Sequence, residues 1–144
     1  MQPAEADLSA IPLFADLPKE EIAKLNALAH PMSYKAGDPV FRQGEDAIGV
    51  FVVTNGEFEL RQETPGAAPQ TERTISAGGV FGLTSVLDEG PRRASAYATT
   101  DGSCMVLSRI TFRGAVMSNP ALALDMMRSM ARNLRELSSL LSQE

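Results

Sequence analysis

Between residues 32 and 108, short apolar runs alternate with glycine-bearing turns, a spacing that few folds accommodate. Val40-Phe41, Val50-Phe51-Val52-Val53, Phe58-Glu59-Leu60-Arg61, Thr74-Ile75 and Met105-Val106-Leu107 read as strands. Gly37-Asp38, Gly44-Glu45, Asn55-Gly56, Gly78-Gly79 and Asp101-Gly102 separate them. Strands this short, punctuated this regularly, argue for a β-sandwich or barrel. Asn55-Gly56 between two apolar runs predicts a hairpin. Residues 62–72, which hold Pro65-Gly66 and Pro69, predict a polar hairpin tip free of chemistry.

Both ends of the chain switch to helical spacing. Residues 1–6 are expected to fray, and Asp7 or Ser9 caps a short first helix through Leu8, Ile11, Leu13 and Phe14. Pro18-Lys19-Glu20-Glu21 opens a second, with Ile22, Leu25, Leu28 and Ala29 on one face. After Ser108 the chain turns helical again, and Asn119-Pro120 is a start signal with Pro at the first helical position. Residues 121–144 then run without Gly or Pro. Met127, Met130, Leu134, Leu137 and Leu141 form an a/d seam of about two heptads, shorter than a coiled coil requires. Leu122, Met126 and Leu140 widen the apolar face, so part of it packs on the chain's own barrel. Packing on self alone and pairing with a second copy both satisfy this pattern.

Composition removes several function classes. A chain of 144 residues forms one domain with room for a core. A net charge of −5 opposes broad affinity for nucleic acid or anionic membrane. No apolar run is long enough to span a bilayer, and Met1-Gln2-Pro3-Ala4-Glu5 lacks the basic flank and apolar core of a signal peptide. The single cysteine, Cys104, lies between Ser103 and Met105 in an apolar run and reads as a buried, inert thiol. With no internal disulfide to form, the chain fits a reducing cytoplasm. One histidine, His30, placed before Pro31 at a helix end, cannot furnish the histidine set of a barrel metalloenzyme. No Gly-x-Ser-x-Gly elbow occurs, and Glu57, Glu59 and Glu63 read as the solvent face of a strand. Neither catalysis nor a cofactor is expected.

Residues 78–96 are the candidate site. Gly78, Gly79 and Gly82 permit tight backbone, residues 83–87 form an apolar turn or two of helix, and Gly90-Pro91 breaks it. Arg92 and Arg93 follow beside Ala94, Ser95 and Ala96. Amides at a glycine-led helix start attract anions, and a guanidinium returned to the same spot completes a phosphate cradle. An ordinary turn with two solvated arginines satisfies the same residues. Strand alternation sends one arginine inward and the other to solvent.

Phe81-Gly82-Leu83 through Pro91-Arg92-Arg93-Ala94-Ser95 resembles the phosphate-binding cassette of cyclic nucleotide-binding domains, whose pattern reads F-G-E-L-A, a short spacer, then P-R-x-A-[ST]. Residues 11–18, 36–45 and 50–56 resemble that family's helical lead-in and glycine framework, so the likeness covers nearly the whole chain. It implies a mainly β fold with flanking helices: a double-stranded β-helix, or jelly-roll-like β-roll, over residues 32–110. Residues 7–30 form an N-terminal helical pair and residues 111–144 the C-terminal helices. The cassette occupies residues 79–96. Arg92 falls at the phosphate-binding arginine, with Arg93 the alternative if the spacer shifts by one. Gly82 and Thr84 fall at backbone amide contacts beside Ser85, and Ala94-Ser95 at the small residues that close the cradle. Leu83 stands where the family carries the glutamate that accepts from the ribose 2′-hydroxyl. The resemblance implies a non-catalytic sensor for cAMP, cGMP or a related phosphate ligand, with a homodimer through residues 121–141. An orphan roll used for assembly, or the sensor half of a transcription regulator, are the alternatives. Since the chain stops at Glu144, before a helix-turn-helix, it is not expected to read nucleic acid by itself.

Overall fold

The computed structural model describes residues 7–142, apart from the side chains of Asn133 and residues 136–142. The expectation for residues 1–6 lies outside the described residues. Asp7 caps the first element by accepting from the Ser9 amide, but that element is a 3-10 turn, Leu8–Ala10, and a second, Pro12–Phe14, follows it. Pro12 has no amide to continue one helix, which accounts for the division. Helix α1 covers Lys19–Leu28 and buries Ile22 and Leu25. Leu28, expected on the same face, is 46% exposed.

Eight strands follow in two antiparallel sheets: β1 (His30–Tyr34), β2 (Pro39–Phe41), β3 (Gly49–Asn55), β4 (Glu57–Gln62), β5 (Gln70–Ser76), β6 (Val80–Phe81), β7 (Ser95–Ala98) and β8 (Gly102–Ser108). Helix α2 (Leu83–Asp88) lies between β6 and β7, while α3 (Arg109–Ser118) and α4 (Pro120–Ser142) close the chain. One sheet runs β1-β8-β3-β6 and the other β2-β7-β4-β5. Strand β1 pairs with β8, β2 with β7, β3 with β6 and β4 with β5. These nested pairs are one long hairpin folded over on itself, the β-roll expected.

Asn55-Gly56 does not make the hairpin its residues suggested. It carries the chain from one sheet to the other, since β3 pairs with β6 and β8 and β4 with β5 and β7. The reason lies in β3, whose Val50, Phe51, Val52 and Val53 are all buried. Alternation turns Val50 and Val52 toward the helices and Phe51 and Val53 toward the opposite sheet. A strand covered on both faces takes an interior place, and the next strand joins the other layer. The return crossing packs against this corner: a Cβ on Gly56 would lie 2.5 Å from the Asp101 carbonyl oxygen.

Two cores result. Leu8, Phe14, Leu25, Leu107, Phe112, Leu122 and Met126 fill the space between helices and the first sheet. Phe41, Phe51, Phe58 and Phe81 fill the roll itself, with the Phe51 and Phe81 rings stacked at 5.2 Å between centroids. Cys104 is buried there, as read from sequence, and burial pushes its thiol up to about 12. His30 opens β1 rather than ending a helix, and it is exposed.

Gly56 and Gly66 share a φ of +81, but nothing lies within 4 Å of a Cβ built on Gly66. Gly66→Ala is expected to cost about 1–2 kcal/mol for left-handed backbone alone. Gly56→Ala should cost about 1–3 kcal/mol more for the forced overlap. Urea titration of both variants measures the difference, and equal losses would mean the corner is not packed as described.

Candidate functional site

Arg92 organises the site. It is 3% exposed, on the short link between α2 and β7, and its guanidinium lies 4.0 Å from the Phe41 ring centroid. Nη1 donates to the Gly82 carbonyl at 2.9 Å and Nη2 to the Gly49 carbonyl at 2.7 Å. Nε is buried without a partner. Among the described residues no carboxylate lies within ion-pair distance of it. Burial pulls its pKa down to about 10, with the Glu45 charge opposing, so the group stays cationic at neutral pH. The fold thus holds a positive charge in its interior with neutral acceptors on two nitrogens and none on the third.

Gly82 makes room for it. This residue is the N-cap of α2 at φ 84, and a Cβ there would approach Arg92 Nη1 to 2.9 Å. No side chain caps α2. The amides of Leu83, Thr84 and Ser85 therefore open the helix without intrahelical acceptors, as first-turn amides do. Ser85 turns its hydroxyl to donate to the Pro91 carbonyl at 3.1 Å, tying the start of α2 to the arginine's own link.

A crevice of about 470 Å³ meets these groups. Gly82, Leu83, Thr84, Ser85, Arg92, Arg93 and Ala94 all line it, seven of the eight residues expected from sequence. Ser95 does not: its hydroxyl accepts from the Gln43 amide at 2.8 Å and donates to the Glu63 carboxylate. That bond, with help from Tyr97 and the charges of Arg42 and Arg61, holds Glu63 below the usual carboxylate range. Glu63, at the base of the β4–β5 hairpin tip, thus reaches back to brace β7. The two arginines separate as anticipated, one inward and one to solvent, but on the link before β7 and not by alternation along a strand. Arg93 points outward, its side chain 73% exposed and paired with Asp88 at 3.1 Å.

Sequence reasoning missed the opposite wall. Leu13 of the second 3-10 turn, Glu72 and Arg73 of β5, and Met126, Ser129 and Met130 of α4 line the same crevice. These residues are scattered over more than a hundred positions and share no motif, so only packing identifies them. Leu83 also packs against the helix-side core. Among the described residues no cluster of His, Cys, Asp or Glu is arranged to hold a metal, and no helix is long and apolar enough to cross a membrane.

Comparison with known proteins bears on the family and the fold. Residues 31–119 match the family profile of the cyclic nucleotide-binding domain. The cyclic AMP receptor protein of Thermus thermophilus is 32% identical over 125 residues, covering 87% of this chain and 58% of the receptor. Human cGMP-dependent protein kinase 2 is 29% identical over 111 residues, covering 76% of this chain and 15% of the kinase. The crystal structure of the Thermus thermophilus catabolite activator protein superposes with a TM-score of 0.81 at 31% identity, over 91% of this chain and 62% of that one. This chain thus spans less than two thirds of the length of these relatives.

Arg92→Ala strands two carbonyl oxygens, at about 1–3 kcal/mol each. Removing the buried charge also relieves its own desolvation cost, so unliganded stability should fall by only about 1–3 kcal/mol in urea titration. Arg93→Ala, which loses an exposed ion pair, should change it by under about 1 kcal/mol. Equal effects would show that Arg92 does not hold the two carbonyls in solution.

Proposed function

This chain belongs to the cyclic nucleotide-binding domain family, and we propose that its crevice receives the phosphate of a 3′,5′-cyclic nucleotide and relays the event through α4. The buried guanidinium of Arg92 carries the reading. A desolvated cation without a counter-charge costs several kcal/mol. A phosphodiester brings one negative charge and acceptor oxygens to the unpartnered Nε. The amides of Leu83, Thr84 and Ser85 add donors on the other side of the phosphate. Ala94 keeps the cradle small. The role is regulatory, not catalytic.

Leu83 sets the affinity. Its side chain cannot accept from a ribose hydroxyl, which is buried without a partner at a cost of about 1.5–3 kcal/mol. That amounts to roughly tenfold to more than a hundredfold weaker binding. Relay follows from the opposite wall. A ligand filling the crevice touches Met126, Ser129 and Met130, so it favours whichever placement of α4 contacts it better. Beyond the crevice, α4 exposes Met127 at 58% and Leu134 at 67%. We assign this stripe to pairing with a second copy, though Leu137 and Leu141 of the expected seam, and Leu140 beside it, lie outside the described side chains. Because the chain spans only part of its relatives, we place it as the sensing portion of a regulator.

Calorimetry with cAMP and cGMP tests the site. The native protein should bind one or both, Arg92→Lys at least tenfold more weakly while remaining folded by circular dichroism, and Leu83→Glu about ten- to a hundredfold more tightly. Equal affinity for the native and Arg92→Lys proteins would remove the phosphate role. Sedimentation should give a dimer that Met127→Glu with Leu134→Glu converts to monomer, and a monomeric native protein would end the pairing assignment.

A further inference from the structure

A second crevice, of about 370 Å³, opens on the loop between β2 and β3. It shares Phe41 and Arg92 with the first and no other lining residue. Phe41 and Phe51, both buried, join Val40 in an apolar lining. Ile48 lines it too while remaining 71% exposed. The Arg109 amide donates to the Ile48 carbonyl at 2.9 Å, and Ile110, the next residue, is 82% exposed. Glu45 and Asp46 supply the charge, and both are exposed. Among the described residues no lysine or arginine lies within ion-pair distance of either. Two carboxylates against the one buried guanidinium of Arg92 leave this crevice net negative.

We infer that this crevice is a docking surface for a segment of another protein that sets a lysine or arginine beside an aliphatic side chain. The backbone that presents it is held at both ends. The Gly44 amide donates to the Arg92 carbonyl and the Arg92 amide to the Glu45 carbonyl, each at 2.8 Å, while Arg92 Nη2 reaches the Gly49 carbonyl at 2.7 Å. Glu45 is itself oriented, since its Oε1 accepts from the Arg42 amide at 2.8 Å. A surface already ordered loses less entropy when it binds. A basic, aliphatic segment satisfies both chemistries with adjacent residues. Its cation meets the carboxylates, and its aliphatic side chain covers Ile48 and enters the apolar lining. Exposed ion pairs set orientation more than affinity, so the apolar contact supplies much of the rest. An acidic segment would meet two like charges. A wholly apolar one would take water from two carboxylates and return no partner. The inference is independent of what fills the first crevice.

Fluorescence polarisation of the whole chain with a labelled hexapeptide alternating lysine and leucine tests the surface. The native protein should bind it with a Kd below about 1 mM. Glu45→Gln combined with Asp46→Asn should weaken binding roughly 2- to 30-fold, the range for two exposed ion pairs. The amide of a glutamine can still accept from Arg42, so the loop keeps its shape. Ile48→Ser should weaken binding roughly 5- to 30-fold, as expected for covering an isoleucine that is mostly exposed. Asp16→Asn with Glu20→Gln removes as much charge from exposed positions elsewhere and should change nothing. An equal loss in that control reduces the binding to attraction by net charge and overturns the inference. A native protein that leaves the peptide free overturns it, as does a hexapeptide alternating glutamate and leucine that binds as tightly. Sedimentation in which Ile48→Ser turns a native dimer into monomer overturns it in favour of a second copy of this chain on that face.

Discussion

A guanidinium buried over an aromatic ring and held by two main-chain carbonyls is the constraint on which the rest of this molecule turns. Arg92 ties Gly49, at the start of the central strand β3, to Gly82, at the start of α2. Those points lie in different parts of the chain, and the pairing of β3 with β6 joins the same two stretches. The arrangement is costly, since the charge has neutral partners only, and it persists because the surrounding roll over-determines the position of the link. Phe41 beneath the ring and Phe51 beside it supply a cation–π face in place of water.

The roll exists to hold that link. Nested antiparallel pairing places α2 and the arginine between the sheets' ends, where a helix start, a strand end and a bare glycine converge. The aromatic cluster behind them resists deformation, because tightly packed interiors shift between discrete arrangements instead of yielding by degrees. The opposite wall has another character. Met126 and Met130 are unbranched side chains of α4, Met126 buried in the helix-side core and Met130 37% exposed.

Much of this was legible in the residues. Glycine-bearing turns at regular intervals specified short strands and two layers. Pro91-Arg92 after a broken helical turn marked the link that carries the buried arginine, and one of Arg92 and Arg93 was expected to turn inward. Asn55-Gly56 misled because a local signal describes a turn without saying which sheet the next strand joins. Glu63 and Ser95 misled for a related reason: their bond spans thirty-two residues, and neither has a local partner that would announce it.

The sequence by itself determined the class of fold and the arginine to watch, because each is written in neighbouring residues whose spacing is a backbone property. Only the tertiary structure decided that Leu13, Arg73 and Met126 share one crevice, that Ser95 braces a strand instead of facing it, and that Arg92 Nε has no partner. Those facts depend on which elements pack together, and packing is settled by burial of surface across the whole chain, a sum that no short stretch of residues contains.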